Sequence, residues 1–293
     1  MTLKSRLLGA AAGVLALAGV FVFTTQESQA ELENGAVFTP EGTLLFHRHD
    51  GERGGIYEMD LDGNILRQIT DSRYMDRWPG VGHGSQDIVF ISTRDRRWSV
   101  YHVGRTGGDV ELLSDTSVFN LGGAISDSGE IVYAQNRDQE EFQSDILAYD
   151  PASGSTRLII EGGMWSRWVS ETRFLFTRDN GEGGSLDVMM YDVSEQSVHR
   201  LTHGAGDDVS ATLSPDGQQL YWGVQDGPNY ILHRRDLAGG ETVSRGVRVN
   251  IDSSPAISPD GRFMVFGRNE GNGYDLIRLD METMEEVRLT GTD

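Results

Sequence analysis

The chain has 293 residues, with 37 glycines, 7 prolines and no cysteine. Without cysteine it has no disulfides, thiolate metal sites or cysteine nucleophile, and its stability rests on an ordinary apolar core. A formal net charge of −20 repels nucleic-acid phosphates and anionic lipid heads, so neither is an expected partner, whereas a cationic protein or peptide fits.

Lys4 and Arg6 precede an apolar run from Leu7 to Phe23, and Ser28-Gln29-Ala30 offers a small-x-small cleavage site. That order is a secretory signal peptide over residues 1–30, its run falling short of the roughly 20 apolar residues of a spanning helix. A periplasmic or secreted protein is expected, with no stable membrane insertion once the signal is removed. Residues 31–293 are then left to fold. Their abundant Gly and Asp and scarcity of long periodic apolar runs suit many short strands joined by turns.

From Ala36 to Thr290 one unit recurs six times. A short apolar strand ends on an aromatic at Phe46, Phe90, Tyr133, Phe176, Trp222 and Phe266, spaced by 44, 43, 43, 46 and 44 residues. A second ladder follows each: Ile56-Tyr57-Glu58-Met59-Asp60, Val100 to Gly104, Ile146 to Asp150, Val188 to Asp192, Leu232 to Asp236 and Leu276 to Asp280. A third marker closes the unit as Ile69-Thr70, Leu113-Ser114, Leu201-Thr202, Val243-Ser244 and Leu289-Thr290, with Ile159-Ile160 as the variant. Ahead of the first ladder lies a hairpin turn, clearest in Ser214-Pro215-Asp216-Gly217 and Ser258-Pro259-Asp260-Gly261. Pro fixes φ at the first central position, Asp bonds local backbone, and Gly takes the positive φ.

Each unit thus reads as four strands. Four short strands cannot bury both faces of a sheet, but radial stacking lets each sheet cover its neighbour. The expected fold is all-β: one six-bladed β-propeller over residues 31–293, of four-stranded antiparallel blades, with the six aromatics packed between blades. Every blade is complete in sequence order, so closure of the ring falls to packing of blade six against blade one.

The unit Ser-Pro-Asp-Gly, apolar-aromatic strand, apolar-x-x-Asp, Gly turn and closing Leu-Thr resembles the repeat of the TolB-type propeller family, best in Ser258 to Thr290 and Thr39 to Thr70. The resemblance implies a periplasmic scaffold that contacts other envelope proteins, in that family peptidoglycan-associated lipoprotein and inner-membrane Tol components. TolB proteins carry an α/β domain ahead of the propeller, whereas here Glu31 to Gly35 alone separate the expected cleavage site from the first strand, so the resemblance covers the propeller part.

Catalytic motifs are missing from the sequence: Gly-x-Ser-x-Gly, a Walker-type phosphate loop and His-Glu-x-x-His do not occur. His47 and His49, at i and i+2 of a strand, share one side and could begin a metal site, but with no third ligand in view packing and strand-end hydrogen bonds account for them better, and no metal or cofactor is expected. Asp60-Leu61-Asp62-Gly63-Asn64 has the spacing of an Asx-bonded turn and not of an EF-hand.

The informative positions precede the innermost strand of each blade, whose loops converge on the mouth of the axial channel. There Arg77, Trp78, Trp165, Arg167 and Trp168 form a mixed aromatic and cationic set, expected to face Asp207, Asp208 and Asp252 and to bind a peptide or protein terminus. The expected function is a non-enzymatic, monomeric scaffold that binds envelope proteins or peptides. The alternative is a carbohydrate-active or other small-molecule enzyme using acidic residues at the channel mouth.

Overall fold

The computed structural model describes residues 32–291 except 50–52, 72, 83, 139–142, 152, 182–184, 228, 251–253 and 270–272. The expected signal peptide, His83 and Asp252 lie outside the described residues. Among the described residues there is no helix, and the strands form six sheets of four, each in strict sequence order. All pairings within them are antiparallel.

The inner strands are Leu32–Phe38, Asp76–Val81, Asn120–Ile125, Met164–Ser170, Asp208–Leu213 and Ala256–Ile257. Alternation along the second strand of each blade decides what packs where. Each aromatic rung points to the preceding blade, and the residue before it points to the following one. Phe90 joins Leu45, Ile56 and Ile69 between blades one and two, while its neighbour Val89 joins Tyr133 and Leu121 between blades two and three. The same division places Phe176 against Ile146 and Val132, Trp222 against Leu175 and Val188, Phe266 against Tyr221 and Leu232, and Phe46 against Val265 and Leu276. Six seams result, and all six rungs are buried. Each contributes on the order of 1.5–3 kcal/mol of apolar burial.

The closing Thr is a buried hydrogen-bond hub, which accounts for its recurrence. Thr70, Ser114, Thr202 and Thr290 each accept from a backbone N–H fourteen residues earlier, on Ile56, Val100, Val188 and Leu276, at 2.9–3.0 Å. In two seams the hydroxyl also donates to an acid heading the next blade, Thr70 to Asp76 and Thr202 to Asp208.

One marker is corrected. In blade five the outer strand Val243–Val249 is irregular, with a register shift between Ile231 and His233, and Val243 is exposed while Val247 and Val249 fill the seam. Val243-Ser244 therefore does not hold the place of Leu-Thr in the other blades.

The ring closes without strand exchange. Blades six and one meet through Val265, Leu276 and Leu289 against Phe38, Leu44 and Phe46. Arg278 donates to the Leu61 carbonyl and sits 3.6 Å from Asp62, and Gly63, at φ +88°, lies so near that a Cβ there would stand 2.5 Å from the Leu289 oxygen. The Asp60 turn is held as Asx chemistry requires, its Oδ1 accepting from the N–H of Asp62 and of Asn64 at 2.9 Å.

Candidate functional site

The inner strands bulge at one level around the axis. Registers shift after Arg77, Met164 and Val209, and at the first bulged position Trp78, Trp165 and Ser210 have φ of 52°, 54° and 55°. Gly35 and Gly122 take the same place in blades one and three at φ 68° and 51°. A glycine in the left-handed region is the usual first residue of such a bulge, and an L side chain there costs about 1–2 kcal/mol. Gly35 has a second reason to be glycine, because a Cβ would lie 2.8 Å from His47 Nδ1 and 3.1 Å from Trp78 Cδ1.

The bulges line the axial channel. Next to them is a cavity of about 110 Å³ bounded by Gly35 to Val37, Trp78 to Gly80, Gly122 to Ala124, Trp165 to Arg167, Ser210 and Ser254. Toward the face of the Ser-Pro-Asp-Gly hairpins lies a larger space of about 390 Å³, reached by Arg167, Trp168, Ser170, Thr212 to Pro215, Ile257, Pro259 and Asp127. Arg167 borders both.

The structure brings together four of the expected residues and places Arg77, Asp207 and Asp208 elsewhere. Trp78, Trp165, Arg167 and Trp168 border the channel from within inner strands, not from loops ahead of them. Trp165 touches the apolar clusters of blades two and three and of blades five and six, and so lies across the lumen. Trp168 packs edge-on against Phe174 at 5.3 Å with its indole nitrogen buried and unpaired. Arg77 turns back into the seam with blade one, with Nη2 3.4 Å from His49 Nδ1 and its guanidinium over Trp98.

Asp207 and Asp208 do not face the tryptophans. Asp207 accepts from the Leu186 N–H at 3.0 Å, and Asp208 accepts from Trp222 Nε1 at 3.1 Å. Burial, with the charge of Asp187 nearby, pushes the Asp208 carboxyl up in pKa against hydrogen bonds from Thr202 and Trp222. Asp76 is fully buried and pairs with Arg94 at 2.8 Å, and burial raises its pKa despite Ser92, Thr70 and Arg94. These acids belong to seams. Their signature was present in the sequence, since Thr70–Asp76, Ser114–Asn120 and Thr202–Asp208 repeat one spacing.

His47 and His49 stack with ring centroids 5.6 Å apart and are both buried. His47 Nδ1 accepts from the Trp78 backbone N–H at 3.4 Å, and burial, with the charges of His49 and Arg77, holds its pKa well below the ordinary histidine range. Sequence reasoning did not single out Ser166, Ser210, Ser254 or Gly122 and Gly123 as site residues, and at Ser210 the left-handed bulge carries no glycine to mark it.

No family model matches the chain. A TolB homolog from Chlorobium chlorochromatii is 27% identical over 205 residues, 68% of this chain and 44% of that protein, so the chain spans under half of the curated relative it matches. Among solved structures, TolB from Acinetobacter baumannii superposes with a TM-score of 0.66 at 20% identity over 90% of this chain and 64% of that one. An oligogalacturonate lyase from Vibrio parahaemolyticus gives 0.57 at 13% identity, over 90% of this chain and 79% of its own. At such identities the solved structures speak for the fold alone. With six four-stranded blades in sequence order, the chain is a six-bladed β-propeller, and it is similar to TolB-type propellers.

Proposed function

We propose that this propeller is an exported, periplasmic scaffold that binds envelope proteins or peptides at its axial channel and has no turnover of its own. The observation that carries the reading is the channel wall. Trp78 and Trp165 occupy bulge positions that are glycine or serine in blades one, three and five, and they are held there at a conformational cost while bordering the channel cavity. Strained bulky side chains gathered at one concave place point to recognition, and tryptophan is among the residues most enriched at binding hot spots. The likeness to TolB-type propellers supports the envelope setting.

The enzymatic alternative has less to support it. Asp207 hydrogen-bonds the preceding blade, Asp208 accepts from Trp222 within its own blade, and Asp127, on an exposed hairpin, is the one carboxylate among the described residues lining the channel. Paired carboxylates across a bound sugar need two lumen-facing acids. Affinity capture from envelope extract tests the scaffold, comparing the mature chain with a Trp78→Ala, Trp165→Ala double variant. Loss of the captured proteins is expected; identical recovery by both overturns the assignment to this channel.

A further inference from the structure

Within that scaffold reading, the channel singles out one residue. In each blade one inner-strand residue pairs with the residue before the aromatic rung, and around the ring these are Val37, Gly80, Ala124, Arg167, Thr212 and Ala256. Five are small or apolar and one is a guanidinium. Among the described residues, Arg167 is the sole charged one on the smaller cavity and shares the larger one only with Asp127, which sits on an exposed hairpin turn.

No carboxylate among the described residues pairs with Arg167. Its one hydrogen bond reaches the Ser254 carbonyl at 3.4 Å, across the axis in blade six. Burial alone pulls its pKa down to about 10. On either side of it in the strand, Ser166 Oγ and Trp168 Nε1 are buried without partners. Desolvated cations and donors left this way cost free energy unless something meets them. Arg94, by contrast, is met by the two oxygens of Asp76 at 3.0 and 2.8 Å.

We propose that Arg167 anchors the carboxylate of a peptide entering the channel from the hairpin face, with Ser166 and Trp168 as neighbouring donors. A guanidinium fork matches a carboxylate bidentately. The space on that side, about 390 Å³, lies within the roughly 300–1,000 Å³ typical of ligand sites. The net charge of −20 repels an anion at long range, and salt screens that repulsion more than it screens a buried pair. Moderate salt therefore speeds association without abolishing it.

The test uses the mature chain and three pools of acetylated tetrapeptides: one with free C-terminal carboxylates, one amidated and neutral, one amidated with a single internal Asp. Tryptophan fluorescence and calorimetry read binding. Either acidic pool is expected to bind, which separates a chain end from a side chain as the source of the carboxylate, while the neutral pool does not. Arg167→Gln weakens that binding at least about tenfold and Arg167→Lys less, because the charge remains but the fork is lost. The comparison of acid with amide on the wild type needs no variant to fold. Equal binding of neutral and acidic pools, unchanged affinity in Arg167→Gln, or no binding of either acidic pool at about 5 mM, a contact too weak for a specific site, overturns the proposal. Capture of envelope proteins that survives Arg167→Gln but not the tryptophan double variant leaves the scaffold standing and removes the carboxylate anchor. Carboxylate binding at Arg167 with no protein captured does the reverse.

Discussion

The seams and the channel wall obey different rules within the same strands. In the seams the six units repeat one another: an aromatic faces back, an apolar residue faces forward, aliphatic in all but blade five where it is Tyr221, and a Thr or Ser hydroxyl holds a backbone N–H in four of them. On the wall the units diverge, with glycine, tryptophan or serine at the bulge and one arginine where five blades have small or apolar residues. On the wall, Ser166 Oγ and Trp168 Nε1 are buried without a hydrogen-bond partner on either side of that arginine. Where a ring of copies agrees, the residues serve the ring; where one copy departs at a cost, its residue serves something the ring does not contain.

The sharpest way to break that contrast is at a seam acid. Asp76→Ala strips Arg94 of its buried partner, and loss of one member of such a pair costs about 3–5 kcal/mol. Denaturant unfolding should show this as a lower midpoint with an unchanged slope. A smaller loss is expected for Gly82→Ala, whose Cβ would stand 2.0 Å from the Ser126 backbone oxygen of blade three. Forcing those blades apart costs about 1–3 kcal/mol by the same measurement. A cost near zero in either variant would mean that the seams carry less of the stability than their regularity implies.

His47 adds a pH dependence at the border of the two regions. Its native pKa is depressed, so the unfolded chain binds the proton that the native state refuses, and stability falls as pH drops below the ordinary histidine value. The slope reaches at most about 1.4 kcal/mol per pH unit between roughly pH 6.5 and 5. His47→Asn should flatten melting temperature across that window; an unchanged profile would assign the dependence elsewhere. The smallest effect belongs to the wall. Arg167→Gln should change stability by no more than about 0.5 kcal/mol, or raise it, since it removes a desolvated charge that no carboxylate among the described residues answers. A large loss would turn Arg167 into a structural strut.

The fold was legible because burial between blades demands the same residue types six times over, so Phe46 through Phe266 mark the sheets without any long-range information. Val243-Ser244 misled because a bulge shifts the outer strand of blade five and moves the buried pair to Val247 and Val249. The site was half legible. Trp78, Trp165, Arg167 and Trp168 announce themselves by type, but strand direction decides which side chains meet the lumen. Two neighbours in one strand, Arg77 and Trp78, therefore part company, one to His49 and one to the channel. Asp207 and Asp208 read as site acids because charge alone does not tell a ligand contact from a seam hydrogen bond.

Each blade is spun from one contiguous stretch, and among the described residues no strand from one end of the chain completes the sheet at the other. The ring therefore has a zipper with side-chain teeth only at its last junction, where Leu289 and Phe38, Arg278 and the Leu61 carbonyl meet. Tension drawn between the two ends of the propeller would load that junction directly, peeling first blade from sixth before any sheet has to shear, and would unroll the ring into an open arc with its lumen laid bare.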